Sequence, residues 1–278
     1  MSVLWFVPIG IFIGLYGTLI GAGGGFILVP ILVFLFPQDG PSMITASSLA
    51  VICVNAGSGT IAYARMKRVS YRTGILFAAA SIPGAFIGSA VTRFIPRKVF
   101  GVLFGGLLMG VAVFLSVTRG IRGRHADAAT REDPPVGTWT TIRDTVVDRE
   151  GMAHPLSFNL LVGMGLSMLI GFLATLVGIG GGLIHVPVLT YIFNFPLHIA
   201  TATSHFVLFF TALTGVVEHI LDHTWPTHLL RDACLAAGVI GGAQVGAYLS
   251  RKISAPWIVL ALAIALGFVG VRLVLTAF

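Results

Sequence analysis

The chain reads as an all-α integral membrane protein made of two homologous halves, each with a Gly-broken or re-entrant helix. Three observations lead there. First, 56% of the 278 residues are hydrophobic and only 10% are charged. A water-soluble globular protein carries roughly 25% charged residues, and the mean hydropathy here is +0.97. Second, the apolar residues fall into long stretches separated by basic loops. Third, Gly21-Ala22-Gly23-Gly24-Gly25 recurs as Gly178-Ile179-Gly180-Gly181-Gly182, each time inside an apolar segment and each time followed by a proline, Pro30 or Pro187.

The repeat extends beyond the glycines. Ser47-Ser48 matches Thr203-Ser204, Ser58-Gly59 matches Thr214-Gly215, and Gly84-Ala85-Phe86-Ile87-Gly88 matches Gly242-Ala243-Gln244-Val245-Gly246. A span needs about 20 apolar residues. The first half offers stretches at 3–36, 45–64, 73–94 and 99–118, and the second at 155–194, 200–221, 229–250 and 256–277. Six of these fit one tilted helix each; 3–36 and 155–194, which hold the glycine runs, are too long for one. Residues 1–20 lack a basic leader and run straight into the first repeat, so they are not expected to be a cleavable signal. The expected division is a first transmembrane repeat over 1–118, a cytoplasmic linker over 119–154, and a second transmembrane repeat over 155–278. The linker holds six of the ten acidic residues and the breakers Pro134, Pro135 and Gly137, which predicts a loosely ordered, dispensable connection.

Basic residues set the orientation. Arg65, Lys67, Arg68 and Arg72 form the densest basic loop, which positive-inside places in the cytoplasm. If the glycine-bearing stretches cross once, the halves are parallel and both termini are cytoplasmic. If they turn back, the halves are inverted and both termini lie outside. Arg251-Lys252 favours the inverted scheme, whereas Arg93, Arg97 and Lys98 oppose it. Inverted halves also make alternating access simple, so the inverted relation is favoured over the parallel one.

Glycine-interrupted hydrophobic segments at corresponding places in two halves point to a transporter's binding site. Consecutive glycines lower the cost of unwinding and allow φ > 0. The helix that restarts after each run presents unpaired N–H groups at its positive end, which suits an anion. The packing alternative explains Gly241-Gly242 and Gly105-Gly106 better than it explains these runs. The expected substrate contacts are Gly21, Gly23, Gly24, Gly25, Ser47, Ser48 and Asn55 from the first half. From the second come Gly178, Gly180, Gly181, Gly182, Thr203, Ser204, His205 and Gln244. Asn55 and Gln244 read as buried amides able to donate to an oxyanion or to bridge helices.

Ionisable groups inside lipid are costly and are functional suspects. His185, His205 and Glu218 are the candidates for coupling to a proton or another ion. Arg272 is the one basic residue expected in the interior of a span, so an anion there would depend on neutral donors. Glu218, His219, Asp222, His223 and His228 form a second polar group, in which His219 and His223 share a helical face. A metal or other cation carrier built on these histidines is the alternative function. The intramembrane enzyme reading finds no nucleophile–base signature. Cys53 and Cys234 read as small packing residues.

The doubled Gly-x-Gly-Gly-Gly motif with its downstream proline, and the Thr/Ser-rich start of the next helix, resemble the TauE/SafE family of membrane transporters. The resemblance covers 3–118 and 155–277. It implies a secondary carrier, not an enzyme, in a bacterial inner membrane, exporting sulfite or an organosulfonate such as sulfoacetate and driven by an ion gradient. No cofactor, metal or nucleic-acid partner is implied; homo-oligomerisation stays open. His205 stands where the family pattern leads one to expect an apolar residue.

Overall fold

The computed structural model describes residues 3–125, 141–147, 153–224, 228–250, 263, 266–273 and 275. After a short 3-10 turn come α1 (Phe6–Ile20), α2 (Gly25–Leu35), α3 (Pro41–Arg65), α4 (Tyr71–Thr92) and α5 (Arg97–His125). Strands β1 (Thr141–Val147) and β2 (Ala153–Asn159) follow, then α6 (Leu160–Leu176), α7 (Gly182–Pro187), a π turn (Val188–Ile192), α8 (Leu197–Leu221) and α9 (Leu229–Leu249). Among the described residues, six helices are long and apolar enough to cross a membrane.

Two expectations are corrected. The chain is not all-α, and the 119–154 segment is not uniformly loose. α5 continues to His125, and β1 and β2 form an antiparallel hairpin in which Asp144 faces Leu156. Val146, Leu156 and Phe158 are buried in one core cluster with Phe77, Ile170 and Phe195. Ser70 donates to Asp144 Oδ2 at 2.6 Å, and Arg72 donates to Arg143 O at 3.1 Å. The hairpin is therefore fastened to the start of α4 and the residue before it. Its second strand also takes up the first residues of the expected 155–194 stretch.

α3 and α8 lie against each other at the centre, with Leu49, Ile52, Ala56, Leu208 and Ala212 filling their contact. α1 runs along α9, and α6 runs along α4. Both of these pairs are parallel and close. A Cβ added at Gly238, Gly242 or Gly246 would strike the carbonyls of Val7, Ile11 or Leu15 in turn, and one at Gly84 or Gly88 those of Met168 or Phe172. Small residues that let two backbones meet are a usual device of membrane helices. Among the described residues Gly241 and Gly106 meet nothing within 4 Å, so the close helix contacts seen here do not use them.

α3 and α8 end alike. Lys67 and His223 adopt φ of 55° and 56°, and the N–H groups of Arg68 and Thr224 reach back to Tyr63 O and His219 O. Left-handed residues with this bond pattern close helices. His223 thus lies beyond α8, and the expected His219–His223 helical face does not form. At this end of the bundle Arg93 pairs with Asp222, and Arg97 donates to the carbonyls of Val33, Pro37 and Asp39. Phe6, opening α1, stacks against Phe36, just after α2, with ring centroids 6.2 Å apart. At the other end Phe158, just before α6, contacts Phe193 and Phe195, which follow the π turn, at 5.6 and 6.0 Å.

Candidate functional site: two opposed glycine turns

Both glycine runs interrupt the helix, as expected. Gly21, Gly23 and Gly24 have φ of 82°, 76° and 84°; Gly178, Gly180 and Gly181 have 74°, 78° and 99°. The left-handed region is sterically costly for any residue with a Cβ. The turns close by the same bonds. Ala22 and Gly23 N–H groups both donate to Gly17 O, and Ile179 and Gly180 N–H groups both donate to Ala174 O.

The two turns touch. A Cβ on Gly25 would lie 2.8 Å from Ile179 Cα, and one on Gly182 would lie 2.5 Å from Gly21 O. Ile52 of α3 and Leu208 of α8 lie against Gly23 and Gly180 alike. Each turn is also held by the helix of the other half of the chain. Ser48 donates to Gly178 O at 2.7 Å, and Ser204 donates to Gly21 O and Gly182 O, each at 3.3 Å. Asn55 Nδ2 donates to Gly23 O at 2.9 Å. The carbonyls of Gly23 and Gly178 therefore accept already, and one Ser204 hydroxyl lies within reach of those of Gly21 and Gly182.

The amides are not similarly occupied. The first bonds of α2 run from Ile27 and Leu28 N–H to Gly24 O, and those of α7 from Ile184 and His185 N–H to Gly181 O. Gly25, Phe26, Gly182 and Leu183 precede those donors, are buried, and have no intrahelical acceptor. A buried N–H without a partner is a strong donor in waiting, and two helix starts add positive dipole ends.

The other expected residues disperse around this centre. Ser47 does not face the turns; it accepts from Arg231 Nη2 at 2.9 Å. Thr203 accepts from Ser70 N–H at 3.1 Å. Gln244 is exposed on the α9 surface and donates to Ser58, which corrects its reading as a buried amide. His205 Nε2 lies 3.3 Å from Thr18 Oγ1, whose proton goes to Asn55 Oδ1 at 3.2 Å, and Tyr63 meets the imidazole edge-on. His205 thus braces the first turn through Thr18 and Asn55. His185 sits behind the second turn, 3.2 Å from Gly181 O and 3.3 Å from Ser167 Oγ.

The sequence reading missed a buried cation. Arg231, the third residue of α9, is 5% exposed. It binds Asp232 Oδ1 at 2.9 Å and Asp39 Oδ2 at 3.4 Å, and its guanidinium lies 4.3 Å from the centre of the Phe36 ring. An Arg inside a predicted span was the available signal. The expected polar group divides accordingly: Asp222 pairs with Arg93, His228 faces Asp39, and Glu218 stays beside His219. Among the described residues, no three His, Cys, Asp or Glu side chains gather so as to hold a metal ion.

The profile of the family described as Sulfite exporter TauE/SafE matches residues 6–273. The probable membrane transporter protein YunE of Bacillus subtilis is 32% identical over 99% of this chain and 98% of its own length. A probable membrane transporter protein of Methanocaldococcus jannaschii is 26% identical over 97% of this chain and 94% of its own. No solved structure matches the chain. A multi-pass helical chain with two opposed glycine turns, matched by that profile from its first described helix to its last described residues, belongs to the TauE/SafE family of membrane transporters.

Proposed function

We propose that this protein is a secondary-active exporter of a small anion, sulfite or an organosulfonate such as sulfoacetate, bound between the two glycine turns. One observation carries the reading. The carbonyls of Gly21, Gly23, Gly178 and Gly182 are served by side-chain donors, while the amides of Gly25, Phe26, Gly182 and Leu183 stand ahead of the first intrahelical bonds of α2 and α7 and have no intrahelical acceptor. An anion completes that arrangement and a cation does not. The residues it would meet are Gly21, Gly23, Gly24, Gly25, Gly178, Gly180, Gly181 and Gly182, with Ser48, Ser204 and Asn55 holding the turns in place.

In the same reading the chain consists of repeats over 1–118 and 155–278, joined by 119–154 and related by inversion. Each glycine-broken segment turns back to the face from which it entered. Support comes from the Phe6–Phe36 contact in one segment and the Phe158–Phe193 contact in the other, at opposite ends of the bundle. The Arg65–Arg72 loop and the hairpin then face the cytoplasm of a bacterial inner membrane. The objection from Arg93 and Arg97 loses weight, because both are engaged in bonds that tie helix ends together. Opposed halves exchange their conformations to alternate access.

The test is binding and flux of labelled sulfite and sulfoacetate with purified protein. Ser48→Ala and Ser204→Ala free a carbonyl of the facing turn, so each is expected to weaken anion binding about 10-fold, the worth of about one hydrogen bond. Gln244→Ala is expected to change nothing. Unchanged affinity in both serine variants, or binding of divalent cations in place of anions, would refute the assignment.

A further inference from the structure

Near the end of α8 two ionisable side chains lie buried side by side, and the anion site uses neither. Glu218 is 4% exposed and His219 2%. His219 Nε2 lies 3.2 Å from Thr45 Oγ1, and the hydroxyl proton of Thr45 is donated to Ser42 O at 2.9 Å. A hydroxyl has one proton to give, so the hydrogen in the His219–Thr45 bond belongs to Nε2. A neutral imidazole with its hydrogen on Nε2 carries a bare lone pair on Nδ1. That nitrogen faces Glu218 Oε2 at 3.8 Å, and neither atom has a hydrogen-bond partner among the described residues. An ionised carboxylate is likewise an acceptor alone. Two buried acceptors therefore confront each other at 3.8 Å.

We propose that Glu218 and His219 together bind the coupling proton of this transporter. One added proton satisfies both atoms, either as a carboxylic acid donating to Nδ1 or as an imidazolium donating to Oε2. No bond other than the one to that proton forms or breaks. The coupling role rests on the carrier reading above; the proton site itself does not.

The surroundings fit a proton that is felt at the substrate turn. Thr45, which His219 holds, packs on the second glycine turn: a Cβ on Gly178 would lie 2.9 Å from Thr45 Cγ2. From α4, Ser89 and Arg93 lie close enough to act on the Glu218 carboxyl, as does Asp222 from the end of α8. Arg93 and Asp222 pair with each other at the rim, with side chains 43% and 25% exposed. α1 and α6 contribute no charged residue. The matching end of α3 lacks the deficit. Tyr63 occupies the place of His219 in the helix-closing turn and gives its own proton to Thr18 O at 2.7 Å, and Ala62 stands in place of Glu218.

The full chain in proteoliposomes tests this with labelled sulfoacetate, whose charge is constant across neutral pH. The readout is the ratio of flux with and without a pH gradient at fixed membrane potential. Wild type and Tyr63→Phe are expected to give a ratio above one; Glu218→Gln, whose amide can donate to Nδ1 permanently, is expected to give one. A second measurement needs no transport. Infrared titration in nanodiscs is expected to show a carboxyl signal that is absent in Glu218→Gln and shifted in His219→Gln. A wild-type flux ratio in Glu218→Gln, a response to sodium but not to protons, or no Glu218-dependent carboxyl signal would each overturn the proposal. If wild type moves neither sulfite nor sulfoacetate, the anion reading falls, and the infrared titration still decides the proton site.

Discussion

Gly24 and Gly181 share a backbone conformation but not a setting, and the difference can be measured. Both have left-handed φ, 84° and 99°, so an alanine at either is strained by roughly 1–2 kcal/mol. At Gly181 the nearest atom to a new Cβ is His185 Nδ1 at 3.3 Å, a side chain that can shift. At Gly24 it also meets Ile13 O at 2.8 Å, which is backbone. Gly24→Ala is therefore expected to lower the melting temperature more than Gly181→Ala, with flux reduced in both. Equal shifts in thermal unfolding of the purified variants would contradict this. The glycine turns were legible in the sequence because few residues other than glycine tolerate three left-handed positions in four. Arg231 was harder to read. Its partner Asp39 lies in a loop of the other half of the chain, and sequence spacing gives no hint of an ion pair that distant.

At the scale of elements, the hairpin is the main departure from expectation. Its strands are short, carry both charges, and alternate buried with exposed positions too weakly for the pattern to stand out in a hydropathic chain. Composition marks such a segment as solvated, yet three of its apolar side chains complete a core that α4, α6 and α8 leave open. Phe158→Ala is thus expected to cost about 3 kcal/mol, the lower end for a buried aromatic. Asp144→Asn removes a charge-assisted bond to Ser70 worth about 1.5 kcal/mol. Chemical unfolding of both variants in detergent checks the order. Equal and negligible effects would restore the picture of a passive linker. The membrane helices themselves were largely legible, because lipid demands long apolar runs whatever the tertiary fold.

For the whole molecule, the decisive contacts join early helices to late ones: α1 to α9 and α4 to α6. Neighbouring glycines of α9 isolate this effect. Gly242 abuts the carbonyl of Ile11, whereas Gly241 faces open space. Gly242→Leu is expected to separate α1 from α9 and abolish a monodisperse folded species, and Gly241→Leu to leave it intact, as size-exclusion chromatography and thermal melts would show. Matching behaviour of the two would mean that close backbone approach is not what joins these helices. Neither the partners nor the parallel sense of these pairs could be read from sequence, since small residues mark a contact without naming what it meets.

That pairing also sets a timetable for biosynthesis. Ribosomes add about 5–20 residues per second, so α1 enters the bilayer roughly 10–50 s before α9 is complete. Until then the groove of α1 that will hold Gly238, Gly242 and Gly246 is lined by lipid, and the glycine turn below it lacks Ser204 to cover Gly21 O. The nascent chain must spend that interval as separate inserted helices with a polar bend among them. Translation stalled within the second half would strand α1 without its mate, giving membrane quality control an unpaired small-residue stripe to recognise.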